Sequence, residues 1–585
     1  MNELEMCRPE VPDLGGTEPP GFPASYSQER LWFVQQMSPD SAAYNLSAIS
    51  HLHGPLNVAA LECSLGEILK RHHVLRSSFK LVDGRLRQSV GSPVAFKICL
   101  IDLRSHPPAG DGSFPQALLN QEAHRPFDLS QPPLLRATLF RIHEAHHILM
   151  LVIHHIAMDG WSLGVFSWEL ATLYAAFTAG ERPALEPLSL QFGDYAAWER
   201  SPDCENLWRD QLDFWRAQLA GVKPSLQIVP DRPPPARITF HGATHRLELP
   251  AGLVAALKAL CRREHATPFM LLLAAFKVLI HGCSRQNEVL VGTPVINRNR
   301  EELERLIGCL VNLLVLRTST AGNPAFREFL ARVKDTVLSA ATHQEVPFER
   351  VLEELRLERS LERNPLIQVL FTFQRGPIHV RLPGLDSQPI YIDTATAKFD
   401  LFMEWWEAGQ NFHGRIEYNT DLFSGGRISQ LAVHYQAILE ALAANPEQRL
   451  SELIAAIPFQ PQPLPAPEPR LKNALGGTLA NGSPAQAEKE EEISSLIATI
   501  EKVVGRIWTQ ILRVPQIGRH ENFFELGGHS LLGMQALARV QAALKITLPF
   551  EALFEAPTIA ELALIIERTL QQDLDALATG ENKST

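Results

Sequence analysis

A mixed α/β region in two lobes, followed by a small all-α bundle of four helices, is the fold this sequence predicts. Three observations predict it. Between Ser25 and Pro458, short bounded apolar runs such as Ile148–Ile153 stand beside stretches of helical periodicity, which places strands and helices in one architecture. Near the middle of that region Pro230, Pro233, Pro234 and Pro235 crowd together. Such a stretch can enter neither a helix interior nor a central strand, so two lobes of about two hundred residues each are expected. Finally, prolines 461, 463, 465, 467 and 469 alternate, which favours extended polyproline II, and helical periodicity resumes only beyond them.

In chain order, residues 1–22 are rich in Pro, Gly and acid and read as a loose leader. Residues 23–458 form the α/β region, with lobes at about 23–229 and 236–458. A Pro-rich, polar linker occupies 459–490, the helical bundle 491–573 and a tail 574–585. The bundle opens with Ile493, Leu496, Ile497, Ile500, Val504, Ile507, Trp508 and Ile511. Their steps of three and four make one apolar stripe on a helix. No repeat of 20–50 residues is found.

Bulk properties narrow the function. A chain of 585 residues holds several folding units. Its 54 basic and 65 acidic residues give a formal charge of −11, and no basic stripe suited to nucleic acid is present. The seven cysteines are scattered without a CxxC pair, so neither a zinc ribbon nor a disulfide framework is expected. The first residues lack a secretory pattern. The apolar run Phe269–Phe276 stops at Lys277, short of the ~20 residues a membrane span needs. A soluble cytoplasmic protein without nucleic-acid or membrane partners is expected.

Two segments carry chemistry. In HHIAMDGWS, residues 154–162, a buried strand ends at His154 and His155. A tight loop with Asp159-Gly160 as its turn follows, and Ser162 is placed to cap a helix bearing Leu163, Phe166, Leu170, Leu173 and Phe177. Histidine can hold or accept the proton of an attacking amine near neutral pH. Asp159 would orient the loop, and Gly160 would let a substrate approach the backbone. On these residues alone, a pair of core histidines at a strand end remains the competing reading. Just upstream, His143, Glu144 and His147 spell the zinc-protease pattern HExxH. That pattern works only on a helix, and here it falls between two strand-like runs, so a hairpin and no metal are expected.

In FFELGGHSLL, residues 523–532, Gly527 and Gly528 precede Ser530, and Leu531, Met534, Leu537 and Val540 mark a helix face. A capping box would want Glu or Gln at 533, where Gly533 stands. An exposed hydroxyl at a helix N-terminus, suited to an added phosphodiester, fits the segment better.

These residues belong to a longer series. SYSQERLWFVQQM at 25–37, RHHVLRSSF at 71–79, FGDYAAW at 192–198, IGCLVNLLVLRT at 307–318, HQEVPFERV at 343–351, RSLERNPL at 359–366, KFDL at 398–401 and IEYNTDLF at 416–423 occur in one order. With HHIAMDGWS as an HHxxxDG signature, residues 25–458 resemble the condensation domain of nonribosomal peptide synthetases. The last ninety or so residues resemble their peptidyl carrier protein.

The resemblance implies two chloramphenicol-acetyltransferase-like lobes in a V with a tunnel between them. It implies acyl transfer: an upstream carrier protein brings an acyl or peptidyl thioester, and the amine of an aminoacyl thioester attacks it. His155 would be the catalytic imidazole, as base or as positioner, with Asp159 and Gly160 beside it. His154, Arg298 as salt-bridge partner of Asp159, and Asn312 near the tunnel would support it. Ser530 would carry covalent 4'-phosphopantetheine, attached by a phosphopantetheinyl transferase, and a downstream synthetase module or thioesterase would take the product. Several positions depart from the family's pattern: LVNL at 310–313 in place of FVNT, Ser360 and Glu362 in RSLERNPL, and His73 where Glu is frequent. They bear on donor preference and subtype. The signature itself resembles elongation or starter domains more than epimerisation domains.

An adenylation domain usually stands between these two units in the family, and no Gly-rich adenylate-forming motif occurs in this chain. The implied amino acid would therefore be loaded by a separate adenylating enzyme. A linker of about thirty flexible residues spans roughly 30 Å, enough for the carrier to visit its own condensation site at high effective concentration. Two other functions remain open on the sequence: an acyltransferase releasing its product onto a free amine or alcohol, and a non-catalytic platform that recruits carriers.

Overall fold

The structure is a computed structural model that describes residues 21–93, 95–104, 116–222, 228–235, 239–356, 366–374, 376, 379–455, 484–512, 514–523, 526, 530–548 and 552–579. The leader up to residue 20, the alternating prolines, most of RSLERNPL and the Gly527-Gly528 pair lie outside the described residues.

The apolar run Ile148–Ile153 forms the middle of strand His146–His154 and is buried on both faces. A strand of that composition needs cover above and below. It has it at the centre of a five-stranded sheet, in the order Asp386–Pro389, Asn45–His53, His146–His154, Leu135–His143, Cys99–Asp102. Only the last pair is parallel. Helices Val58–Arg71 and Gly160–Ala179 pack on each other beside it.

A six-stranded sheet forms the second lobe, in the order Asn312–Ser319, Glu288–Val295, Val369–Gln374, Leu401–Ala408, Asn411–Asn419, Gly242–Leu249. Helix Pro268–Ser284 lies in its core, apolar nearly all round as a fully covered helix must be. Its Lys277 is the polar exception, with Nζ donating to the carbonyls of Val289 and Leu316 and to Thr318 Oγ1. Among the described residues no single helix is long and apolar enough to cross a membrane.

The proline break near 230 does not part the lobes cleanly. Strand Asp386–Pro389, from the predicted second lobe, pairs with Asn45–His53 at the edge of the first sheet. A four-residue edge strand ending in proline carries no periodicity to read, and an edge is where proline is tolerated. Scattered cysteines also conceal one bond: Cys99 is disulfide-bonded, whereas Cys63, Cys204, Cys261, Cys283 and Cys309 are free.

The chain divides into two compact units, the first holding the five- and six-stranded sheets and the second the C-terminal helices. Helices Pro484–Leu512, Ser530–Leu544, Ala552–Glu555 and Ile559–Thr579 compose the second. Ile500, Val504, Ile507, Trp508 and Ile511 are buried in its core, with the Trp508 ring edge-on to Phe523 at 4.7 Å. Leu496 is exposed, whereas Ile497 packs against that core. The first helix starts at Pro484, inside the stretch expected to be linker. Proline suits a first turn, and the following AQAEKEEE consists of good helix formers whose polarity reads as linker.

Candidate active site

Strand His146–His154 delivers two histidines to its end, and the turn His155–Ala157 gives them opposite fates. His154 is 1% exposed and its Nδ1 accepts the Ile156 N–H at 3.1 Å. Burial, with His155 second, pushes its pKa down to about 3, so it is a neutral packing residue. His155 keeps accessible surface although it sits deep among protein atoms, as a residue in the wall of a cleft does. Its own N–H donates to the Tyr44 carbonyl at 2.8 Å, and the Tyr44 ring stands edge-on at 6.3 Å.

The pKa of His155 is lowered to about 4, first by burial and then by the charge of Lys398, against opposing pulls from its own backbone and Asp159. The ring is neutral at pH 7. Its Nδ1 lies 3.6 Å from Cys309 Sγ. A neutral imidazole always keeps one ring nitrogen as an acceptor. Such a nitrogen can receive a hydrogen bond from an amine.

Asp159 closes the loop. Rather than serving a turn before a Ser162 cap, it is itself the N-cap of helix Gly160–Ala179, with Oδ1 accepting the Ser162 N–H at 2.8 Å. Both residue types cap helices, and the chain is capped three residues earlier than the apolar pattern implied. Asp159 Oδ2 accepts the Leu310 N–H at 3.0 Å, and Arg298 Nη2 lies 3.1 and 3.2 Å from the two oxygens. Arg298 also donates to Ser162 Oγ at 2.7 Å and to the Leu306 carbonyl at 2.7 Å. Side chains 2% and 3% exposed make this a desolvated ion pair, with both Arg298 terminal nitrogens and both Asp159 oxygens hydrogen-bonded and Arg298 Nε buried without a partner. Gly160 is exposed, and a Cβ built on it meets nothing within 4 Å. That backbone faces open space.

Asn312 holds structure rather than reaching outward. Its amide nitrogen donates to the carbonyls of Gln344 and Val346, and its oxygen accepts from Leu313 and Phe348 N–H groups at 2.8 and 2.9 Å. All four positions of the amide are filled. It fastens the IGCLVN segment to HQEVPF, and has no hydrogen-bonding group left for a substrate. Gly308 joins a third motif: a Cβ there would stand 1.8 Å from Phe192 of FGDYAAW.

Four residues near His155 were not singled out from sequence. Cys309, Tyr44 and Lys398 surround the ring, and Lys398 Nζ lies 5.5 Å from the Tyr44 ring centre. Burial lowers the Lys398 pKa and Glu417 opposes the shift. Arg30, paired with Glu349 at 2.6 Å, adds a further positive charge. KFDL and IEYNTDLF were the signal for Lys398 and Glu417, but motif order alone does not say which side chain turns toward the histidine.

In the second unit Ser530 is the first residue of helix Ser530–Leu544. The free amides and positive end of a fifteen-residue helix suit a phosphodiester there, so the position fits phosphopantetheine. Gly533, which spoils a capping box, is needed for packing: a Cβ would come within 2.8 Å of Leu553 Cδ2.

Comparison with known proteins agrees with this layout. The family model for the condensation domain matches residues 21–464, and that for the phosphopantetheine attachment site matches 502–566. The chain is 41% identical over 434 residues to one of the linear gramicidin synthase proteins of Brevibacillus parabrevis, covering 74% of this chain and 6% of that protein. It is 37% identical over 448 residues to phosphinothricin tripeptide synthetase PhsC of Streptomyces viridochromogenes, covering 76% and 41%. Among solved structures, the X-domain in complex with OxyB from teicoplanin biosynthesis is 30% identical with a TM-score of 0.67, covering 76% of this chain and 98% of that one. A four-domain nonribosomal peptide synthetase bound to AMP and glycine shares the fold at a TM-score of 0.68 and 24% identity, covering 77% and 35%. The chain thus spans 6–11% of the length of the first curated relatives it matches.

Proposed function

The chain belongs to the condensation-domain family, with a phosphopantetheine attachment domain behind it, and from that premise we propose that it joins a donor acyl thioester to an aminoacyl thioester held on its own Ser530. Condensation domains of nonribosomal peptide synthetases form peptide bonds by acyl transfer. The phosphopantetheine arm supplies the thiol that carries an acyl group as a thioester.

The residues of this chain act on the two reactants. The acceptor amine nitrogen attacks the donor carbonyl carbon, a C–N bond forms, the C–S bond breaks, and the proton lost by nitrogen ends on the departing thiolate. The unprotonated ring nitrogen of His155 receives the amine's hydrogen bond and holds its lone pair toward the carbonyl. Burial, with the charge of Lys398 second, keeps that imidazole neutral. Arg298 and Asp159 position the loop, and Gly160 leaves room for the substrate. The single observation that carries this reading is that His155 retains accessible surface while His154 is sealed.

The proposed domains are a condensation domain at 23–458 and a carrier at 491–573. Residues 465–501 separate the two family matches, too few for a further domain of ordinary size. We therefore assign loading of Ser530 to an adenylating enzyme acting in trans. An upstream carrier, a phosphopantetheinyl transferase and a downstream module or thioesterase complete the partners, in the cytoplasm. The test is intact-protein mass spectrometry. After phosphopantetheinylation and aminoacylation in trans, a donor-loaded carrier should transfer its acyl mass to this chain. A soluble amide or ester with no mass gain at Ser530 would contradict it.

A second reading has one observation in its favour. The X-domain, 30% identical, is described in complex with OxyB, and by analogy this chain would recruit a partner without catalysis. The intact signature His154, His155, Asp159 and Gly160 speaks for catalysis, and the same transfer assay separates the two.

A further inference from the structure

The HExxH spelling is broken by a hairpin, since strand Leu135–His143 turns at Glu144 and Ala145 into His146–His154. His143 and His147 do not share a helical face. His146, between them, has different company. It stands directly opposite His53 in the neighbouring strand, and His51, two residues away from His53, lies on the same face of the sheet.

The rings of His53 and His146 stack with centroids 4.2 Å apart, and His51 Nδ1 is 3.0 Å from His146 Nε2. One ring nitrogen from each of the three histidines lies within 4.8 Å of the others. Zinc–nitrogen bonds of about 2.0–2.1 Å in a tetrahedron set nitrogens about 3.3 Å apart. The three imidazoles therefore reach a metal's ligand triangle with small ring rotations. A stacked cross-strand pair alone is ordinary packing; the third nitrogen converging on the same point is what coordination requires. His53 is exposed and the other two are half-buried, so the ligands stand on two paired strands with one side open to solvent. Asp386, opposite His53 on the edge strand, adds a carboxylate to the same row.

We propose that His51, His53 and His146 bind a borderline divalent transition metal of the zinc class, leaving a fourth position for water. Three imidazoles suit zinc, copper or nickel and not calcium or magnesium, which take oxygen ligands. The site is remote from acyl transfer. The register that sets His53 against His146 sets Asn45 against His154, and eight residues of strand separate the two ends by about 27 Å. The metal would clip two strands together at the end away from His155.

Zinc titrated into the tag-free full chain against a chromophoric chelator tests this, with cobalt absorption reporting the geometry. One equivalent of zinc should bind, and cobalt should give the strong visible bands of a four-coordinate site. His53→Ala should weaken zinc more than about tenfold, since even outer-shell partners are worth that much. His51→Gln combined with His53→Ala should abolish it. The exposure of His53 keeps the fold safe, and an unchanged metal-free thermal transition verifies it. Absence of saturable binding to the wild-type chain, or undiminished binding to the double variant, would overturn the proposal.

Discussion

His155 and Ser530 both stand where one element gives way to another, but they are held in different ways. His155 follows a strand whose loop is pinned by groups from distant segments: Tyr44 accepts from its backbone, Arg298 and Leu310 bind Asp159, and Cys309 touches its ring. Ser530 is positioned by the helix it begins. The aim of an imidazole is thus a long-range property of the first unit, whereas the proposed attachment serine needs only its local helix and the small core beneath it. Damage far from His155 should reach the chemistry. Damage far from Ser530 should not.

The largest effect is at the serine. Ser530→Ala should abolish the phosphopantetheine mass increment altogether, with the unfolding transition of the first unit unmoved. An increment surviving in the variant would show that attachment lies elsewhere. Next comes Arg298→Ala, which leaves the Asp159 carboxylate buried and unpaired. Removing one partner of such a pair costs about 3–5 kcal/mol, so denaturant unfolding of the first unit should shift by that amount while Ser530 is still modified at the wild-type rate. Arg298→Lys should rescue poorly, because one ammonium cannot replace two nitrogens, Nη2 on Asp159 and Ser162 and Nη1 on the Leu306 carbonyl. An unshifted transition would mean that the loop does not depend on the pair.

Smaller effects concern protons. Lys398 is the leading charge lowering the His155 pKa, which stands at about 4. Lys398→Met should raise that pKa, so the acid limb of the single-turnover pH profile should move upward from about 4. A limb that stays put would remove Lys398 from the account. Stability should follow the same residues. His154 and His155 have folded pKa values of about 3 and about 4, below the ordinary 6.5. The unfolded chain therefore takes up more protons as pH falls below 6.5, and stability drops between 6.5 and about 3 while their contribution is flat above 6.5. Urea midpoints of His154→Asn should show a shallower fall over that range, and an unchanged slope would contradict the assignment.

The same contrast explains what could be read in the sequence. The strand Ile148–Ile153, the helix after Gly160 and the helix after Ser530 follow from local apolar patterning and were legible. Asp159 as N-cap was not separable from Ser162, since both side chains cap helices. The Arg298 pairing came only through family resemblance, because nothing in the spacing of residues 159 and 298 links them. Lys398, Tyr44 and Cys309 converge on His155 from three segments, and a linear motif does not say which side chains meet. Asp386–Pro389 is too short to carry a strand pattern, and Asn312 reads as a site residue until its four backbone partners are seen.

The most direct measurement is the single-turnover rate of acyl transfer from a donor-loaded carrier to aminoacylated Ser530, compared between the wild-type chain and His155→Ala. The rate should fall by about 10²–10⁴, the range of a positioned proton-handling group, with aminoacylation of Ser530 unchanged. Transfer by the variant at the wild-type rate would contradict the assignment of the imidazole.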